Sequence, residues 1–292
     1  MEKVFNFLTF TDSNIFYILF GIVILTNSSA IIGTFIFLRN KSLLSDLISH
    51  SIFPGICLSF MICGEKKILY FIIGAFFTSY ISLFLVYIIP KKSKIKEDAS
   101  IAIVLSLFFG IGIFLLTIIQ KFDNSNKTGL NNFLFGNAAS IIIEDLIIFS
   151  LISVLVIFTI TVFFNQLLLI SFDNNFSISI GLPIKFIEFI ITFIIILSII
   201  SGIQVIGIIL MSSILITPSV AARFWTENLK VMIILSSFFG IISGLVGTFI
   251  SYFYTGLPTG PLVILIISFI LVFSFCFSPK KGLIFKIFRN YF

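Results

Sequence analysis

The stretch SLLSDLISHSIFPGICLSFMIC, Ser42–Cys63, is uncharged except for one aspartate and one histidine. As a helix rising ~1.5 Å per residue, it is long enough to cross the roughly 30 Å hydrocarbon core of a bilayer. Similar runs recur along the chain, at about 15–38, 42–63, 68–90, 98–119, 142–164, 184–201, 203–219, 230–252 and 261–278. The chain is 59% hydrophobic and only 10% charged, with a mean hydropathy of +1.24. A soluble domain carries about 25% charged residues, so this one lacks the charge to coat itself. The fold class expected is all-α: a polytopic membrane helix bundle of about eight or nine transmembrane helices. The count turns on the sixth and seventh runs, divided only by SGIQ, Ser201–Gln204. That pair reads either as two spans or as a broken, re-entrant hairpin.

Lysine and arginine set the orientation. With the N-terminus outside and the C-terminus cytoplasmic, the inner side collects Arg39, Lys41, Lys91, Lys92, Lys94, Lys96, Lys185, Arg223, Lys230, Lys280, Lys281, Lys286 and Arg289. The outer side keeps Lys3, Lys66, Lys67, Lys121 and Lys127. That asymmetry follows the positive-inside rule, and it accounts for the net charge of +6 without a nucleic-acid partner. Cys57, Cys63 and Cys276 lack the spacing of a zinc cluster or a disulfide framework. Residues 1–14 show no cleavable signal pattern; Phe5, Phe7, Leu8 and Phe10 suit a short interfacial helix instead. Residues 1–292 therefore read as one transmembrane domain. Its longest inner connection, 165–183, is too apolar for a solvated linker and too polar to span. A short helix on the inner membrane surface suits it, with Asp173, Asn174 and Asn175 facing water and available to a cytoplasmic partner.

Asp46 and His50, the only histidine of the chain, stand four residues apart and so share one helix face. Counted from Lys41, His50 lies roughly 13 Å into the membrane, where ionisable groups normally face a protein interior or a watery cavity. Pro54 has no N–H for the His50 carbonyl and is expected to kink the helix and free that oxygen. Two readings are open: the pair hydrogen-bonds to hold the bundle together, or it forms part of a cation site. Depth, the adjacent proline and the solitary histidine favour the second. Carboxylate, imidazole and carbonyl oxygen suit divalent metals such as Mn²⁺ and Zn²⁺. One chain supplies two side-chain ligands, so a complete site needs two facing subunits. Protonated imidazole cannot ligate, so transport through such a site falls in acid.

RNKSLLSDLISHSIFPGI, Arg39–Ile56, resembles the second-span signature of the ABC-3 family, the permeases of bacterial zinc, manganese and iron importers. In order along the chain, Lys96–Leu116, Phe133–Leu146, Ile170–Pro183, Gln204–Phe224 and Gly256–Leu265 are similar to further segments of that family. Ser45 and Ala102 stand where the family often carries glycine. The resemblance implies an importer subunit of a bacterial inner membrane, with Asp46 and His50 lining the metal path and no permanently bound cofactor. It implies that the segment around Ser171, Asp173, Asn174, Asn175 and Gly181 couples to cytoplasmic ATPase subunits. It also implies a second permease subunit, identical or paralogous, and an extracytoplasmic metal-binding protein. The chain has no G-x-x-x-x-G-K-[ST] phosphate loop, so ATP hydrolysis is expected in a separate chain and no enzymatic activity in this one.

Other polar groups carry paired readings. Glu97 and Asp98 suit a helix N-terminus or a metal exit; Glu144 and Asp145 suit a helix cap or an external gate. Glu188 reads as an interfacial ion pair with Lys185. Gly202, Gly207 and Pro218 suit packing, a gate or a subunit contact. GLPTGP, Gly256–Pro261, reads as an external turn. The competing function is a secondary metal transporter driven by protons or sodium, which would carry more deep acids than Asp46. An intramembrane metalloprotease would need an H-E-x-x-H set that a single histidine cannot supply.

Overall fold

The computed structural model of the chain describes residues 13–64, 68–121, 134, 136–254, 256–279 and 282–283. The interfacial helix expected at Phe5–Phe10, most of the outer loop 120–132 and the basic C-terminal residues lie outside them. Nine described helices are long and apolar enough to cross a membrane. They are α1 (Ser13–Leu38), α2 (Ser42–Cys63), α3 (Ile68–Lys92), α4 (Glu97–Lys121), α5 (Ile143–Val162), α8 (Ile184–Ile206), α9 (Ile208–Trp225), α10 (Leu229–Phe253) and α11 (Thr259–Phe277). Two short helices, α6 (Phe164–Phe172) and α7 (Asn174–Ser179), fill the connection between α5 and α8.

The expected spans are met within a few residues except at the sixth and seventh. The helix does not stop at SGIQ: α8 runs on to Ile206 and the chain breaks at Gly207 instead. Ser201 turns its hydroxyl to the Ser198 carbonyl at 2.8 Å, a bond that a helix interior accommodates. Gly207 has φ +95°, a conformation that glycine adopts without steric cost. Both pieces are full helices, so the pair is two spans and the count is nine among the described residues.

α1 is the hub, packing against α5, α9 and α10, while α2, α3 and α4 form a neighbouring trio that α9 and α8 join to the rest. The crossings are close because small residues sit there, as membrane helix contacts require. A methyl group on Gly33 would meet the Leu215 carbonyl oxygen at 1.6 Å. Gly55 of α2 and Gly74 of α3 oppose each other, each within 2.4 Å of the other's carbonyl oxygen once given a methyl. Some buried polar groups are satisfied across helices. Ser219 of α9 and Ser236 of α10 both donate to the Ala30 carbonyl of α1, at 3.2 and 2.9 Å.

The helices alternate in direction. Arg39 at the end of α1, Lys41 before α2 and Glu188 early in α8 meet at one end of the bundle. At the other end the Asn137 N–H donates to the Gln204 carbonyl near the end of α8, at 3.0 Å. Lys91 lies at the same cavity as Arg39 and Lys41, and Lys230 stands 5.7 Å over the Phe164 ring, while Lys121 ends α4 at the opposite end.

Candidate functional site

α2 presents Asp46 and His50 on the side that packs against α4. The same side places Phe53 and Pro54 against Gly112 and brings the Cys57 thiol within 3.9 Å of the Gly112 carbonyl. The helix continues unbroken through Pro54. Cys57 is fully buried, as its packing role requires. His50 is half-buried with its ring edge-on to Phe109 of α4, centroids 4.8 Å apart and planes at 79°. Its Nδ1 is shielded from solvent and has no hydrogen-bond partner. No hydrogen bond joins Asp46 to His50, so the pair does not fasten the bundle in that way. A buried, unpartnered imidazole nitrogen costs roughly 1–3 kcal/mol. Ser79 Oγ, Tyr80 Oη, Gln166 Oε1 and Trp225 Nε1 are likewise buried without a partner; His50 differs in its neighbouring carboxylate, Asp46.

Asp46 and His50 do not form a closed metal site. Among the described residues, no group of three or more His, Cys, Asp or Glu side chains could hold an ion. One chain offers a carboxylate and an imidazole, about half of a four-ligand site. The exposed side of α4 beside Phe109 carries Ala102, Ser106 and Gly110 in one row, and a methyl on Gly110 would meet nothing within 4 Å.

The connecting segment differs from the single surface helix expected over 165–183. It is split at Asp173, whose backbone leaves the helical region and whose carboxylate accepts from the Phe176 N–H at 2.9 Å, capping α7. α6 is anchored by buried Leu167 and Ile170, and Ser171 donates to the Leu167 carbonyl. Asp173, Asn174 and Asn175 are exposed, and Gly181 turns the chain at φ +80° towards α8. Sequence reasoning passed over Phe172, Phe176, Ile178 and Ile180, which stand 50–60% exposed around those polar residues. The result is a knob with apolar flanks and a polar rim.

Glu188 corrects the sequence reading. It pairs with Arg39, not with Lys185, and with Lys41 at 3.3 Å. Glu97 and Asp98 are exposed in the first turn of α4. Asp145 caps α5, accepting from the Ile142 N–H at 3.2 Å. Gly202, Gly207 and Pro218 are buried within the chain, so their part is internal packing and not a subunit contact. Gly202 leaves room for Met211, whose sulfur a methyl there would meet at 2.4 Å.

Comparison with known proteins places this arrangement among transporters. A family model described as the ABC 3 transport family matches residues 11–278. The manganese transport system membrane protein MntC of Bacillus subtilis is 41% identical over 273 residues, covering 94% of this chain; the chain spans 63% of that relative's length. The zinc transport system membrane protein TroC of Treponema pallidum is 33% identical, covering 96% of this chain and 94% of that one. Among solved structures, PsaBC from Streptococcus pneumoniae in complex with Fab matches with a TM-score of 0.86 at 30% identity, over 96% of each chain.

Proposed function

The chain belongs to the ABC 3 transport family, and from that membership we propose that it is the membrane-spanning permease subunit of an ATP-driven divalent-metal importer. The observation that carries the reading is the His50 Nδ1, buried in the bundle beside Asp46 and bonded to nothing. A second permease subunit, identical or paralogous, packs on the small-residue side of α4. It adds an equivalent pair, and the ion passes through the cavity between the two subunits. Small residues on α4 permit that close approach.

The basic end faces the cytoplasm, which puts the N-terminus outside and the C-terminus inside a bacterial cell membrane. An extracytoplasmic metal-binding protein delivers the ion at the opposite end. At the basic end, the knob at Phe172–Gly181 seats on a separate ATPase chain, apolar residues in its grooves and Asp173, Asn174 and Asn175 around the rim. Gly181 leads from the knob directly into α8, and α8 holds the start of α2 through Glu188. ATPase motion thus has a short mechanical route to the helix bearing Asp46 and His50. Those two side chains replace part of the ion's hydration shell as it crosses. The relatives are named for manganese and for zinc; an imidazole–carboxylate set accepts both, and Fe²⁺ as well.

Uptake of labelled Mn²⁺ and Zn²⁺ in cells expressing the full system tests the reading, with wild-type chain against His50→Ala at matched membrane levels. Loss of uptake of one or both metals is expected. Unchanged uptake of both would remove His50 from the path.

A further inference from the structure

On the other side of α2, away from Asp46 and His50, a cavity of about 430 Å³ opens at the basic end between α1, α2, α3 and α8. Its walls are apolar, with Leu83 and Val86 of α3 facing Ile191 and Ile195 of α8. Its charged groups are Arg39, Lys41 and Lys91 against Glu97 and Glu188. The Glu188 carboxylate is already held by Arg39 and Lys41. Lys91 reaches only the Tyr87 hydroxyl of its own helix, with its ammonium 3.8 Å from that ring's centroid.

Three features narrow the occupant. Cations outnumber carboxylates and one carboxylate is spent internally, so a metal ion is repelled and a single negative charge is matched. The polar groups lie together at one end of an otherwise apolar hollow, which suits a molecule with one polar head and a hydrocarbon body. The hollow sits at membrane depth at the basic end, between α3 and α8. Along α3 beyond Leu83, the two helices meet through Phe76 against Phe193, centroids 4.9 Å apart, and Tyr80 against Phe189 at 5.7 Å. Basic pockets between membrane helices on that side are a recurrent form of phospholipid headgroup site.

We propose that this cavity binds one anionic phospholipid of the adjacent leaflet. Its phosphodiester sits on Lys91 and Lys41, its headgroup hydroxyls donate to Glu97, and an acyl chain lies along Leu83 and Ile191. The bound lipid lies between α3 and α8, beside the Arg39–Glu188 junction of α1 with α8. This site is independent of the metal and of Asp46 and His50.

Thermal unfolding of the purified full-length chain with its partner subunits tests the site, with phosphatidylglycerol, phosphatidylcholine or inorganic phosphate added. Phosphatidylglycerol is expected to raise the midpoint by roughly 3 °C more than phosphatidylcholine, and phosphate to do nothing. Lys91→Gln removes the head contact and Thr192→Phe fills the hollow without changing charge; both should abolish the difference. Leu83→Phe serves as a second filling variant if Thr192→Phe does not fold. Equal shifts from both lipids overturn the proposal, as does a shift from phosphate alone. A lipid difference that survives both filling variants overturns it too, because the lipid then binds elsewhere. Release of the ATPase by the filling variants, with lipid response intact, would show the cavity to be a protein seat and overturn it.

Discussion

The two faces of α2 are built on opposite terms. Towards α3 the helix is closed: Gly55 and Gly74 bring the two backbones together with no room for a methyl. Towards α4 it carries Asp46 and His50, groups that cost free energy in a membrane, with the His50 Nδ1 left without a hydrogen bond. The first face is determined by shape alone. The second is packed as closely further along, where Phe53 and Pro54 meet Gly112, but at His50 it carries a polar group without a hydrogen-bond partner. The contrast separates a contact that holds the subunit together from the polar pair proposed to meet the metal.

Substitutions can break that contrast in descending order. Gly55→Val should have the largest effect, because the new side chain would overlap the Gly74 carbonyl and Thr78. Overpacking of this severity costs ~3 kcal/mol or more, read as near-complete loss of the chain from the membrane by immunoblot. His50→Ala should leave that level within about twofold while uptake drops at least ~10-fold, ~1.4 kcal/mol in the transport barrier. If the two variants behaved alike, the two faces would not differ in kind.

Glu188→Ala comes next. The Arg39 side chain is only 11% exposed and would lose its carboxylate, but Glu188 itself is 40% exposed. Water therefore screens much of the loss, leaving ~1–2 kcal/mol, measured as a lower unfolding midpoint of the purified complex. Gly110→Ala should be smallest, within ~1 kcal/mol and if anything favourable to the helix, since no atom waits for the methyl. Gly110→Trp sharpens the point. It should spare the single subunit yet prevent pairing of two, read by crosslinking in membranes.

The spans were legible because lipid imposes long apolar runs, and a polar break in such a run is rarely accidental. SGIQ misled because a serine bonded to its own helix and a glycine packed on Met211 both look like a break, while the glycine at 207 that does end the helix looks like any other. Asp46 and His50 drew attention in the sequence because charge at that depth stands out against apolar neighbours. The partner of Glu188 was not: Lys185 lies one turn away in sequence, whereas Arg39 is 149 residues distant. Only the packing of α1, α2 and α8 brings it near. The split at Asp173 and the apolar flanks of the knob were hidden in the same way, since Phe and Ile are common everywhere in this chain.

The one-residue link at Gly207 also bears on how the protein is assembled. Consecutive Cα atoms are held ~3.8 Å apart, so the end of α8 can never stray from the start of α9. Once both helices are in the bilayer, they are therefore held as one tight hairpin at that end. A foreign epitope or protease site placed at that junction would interrupt assembly itself, not merely decorate a loop.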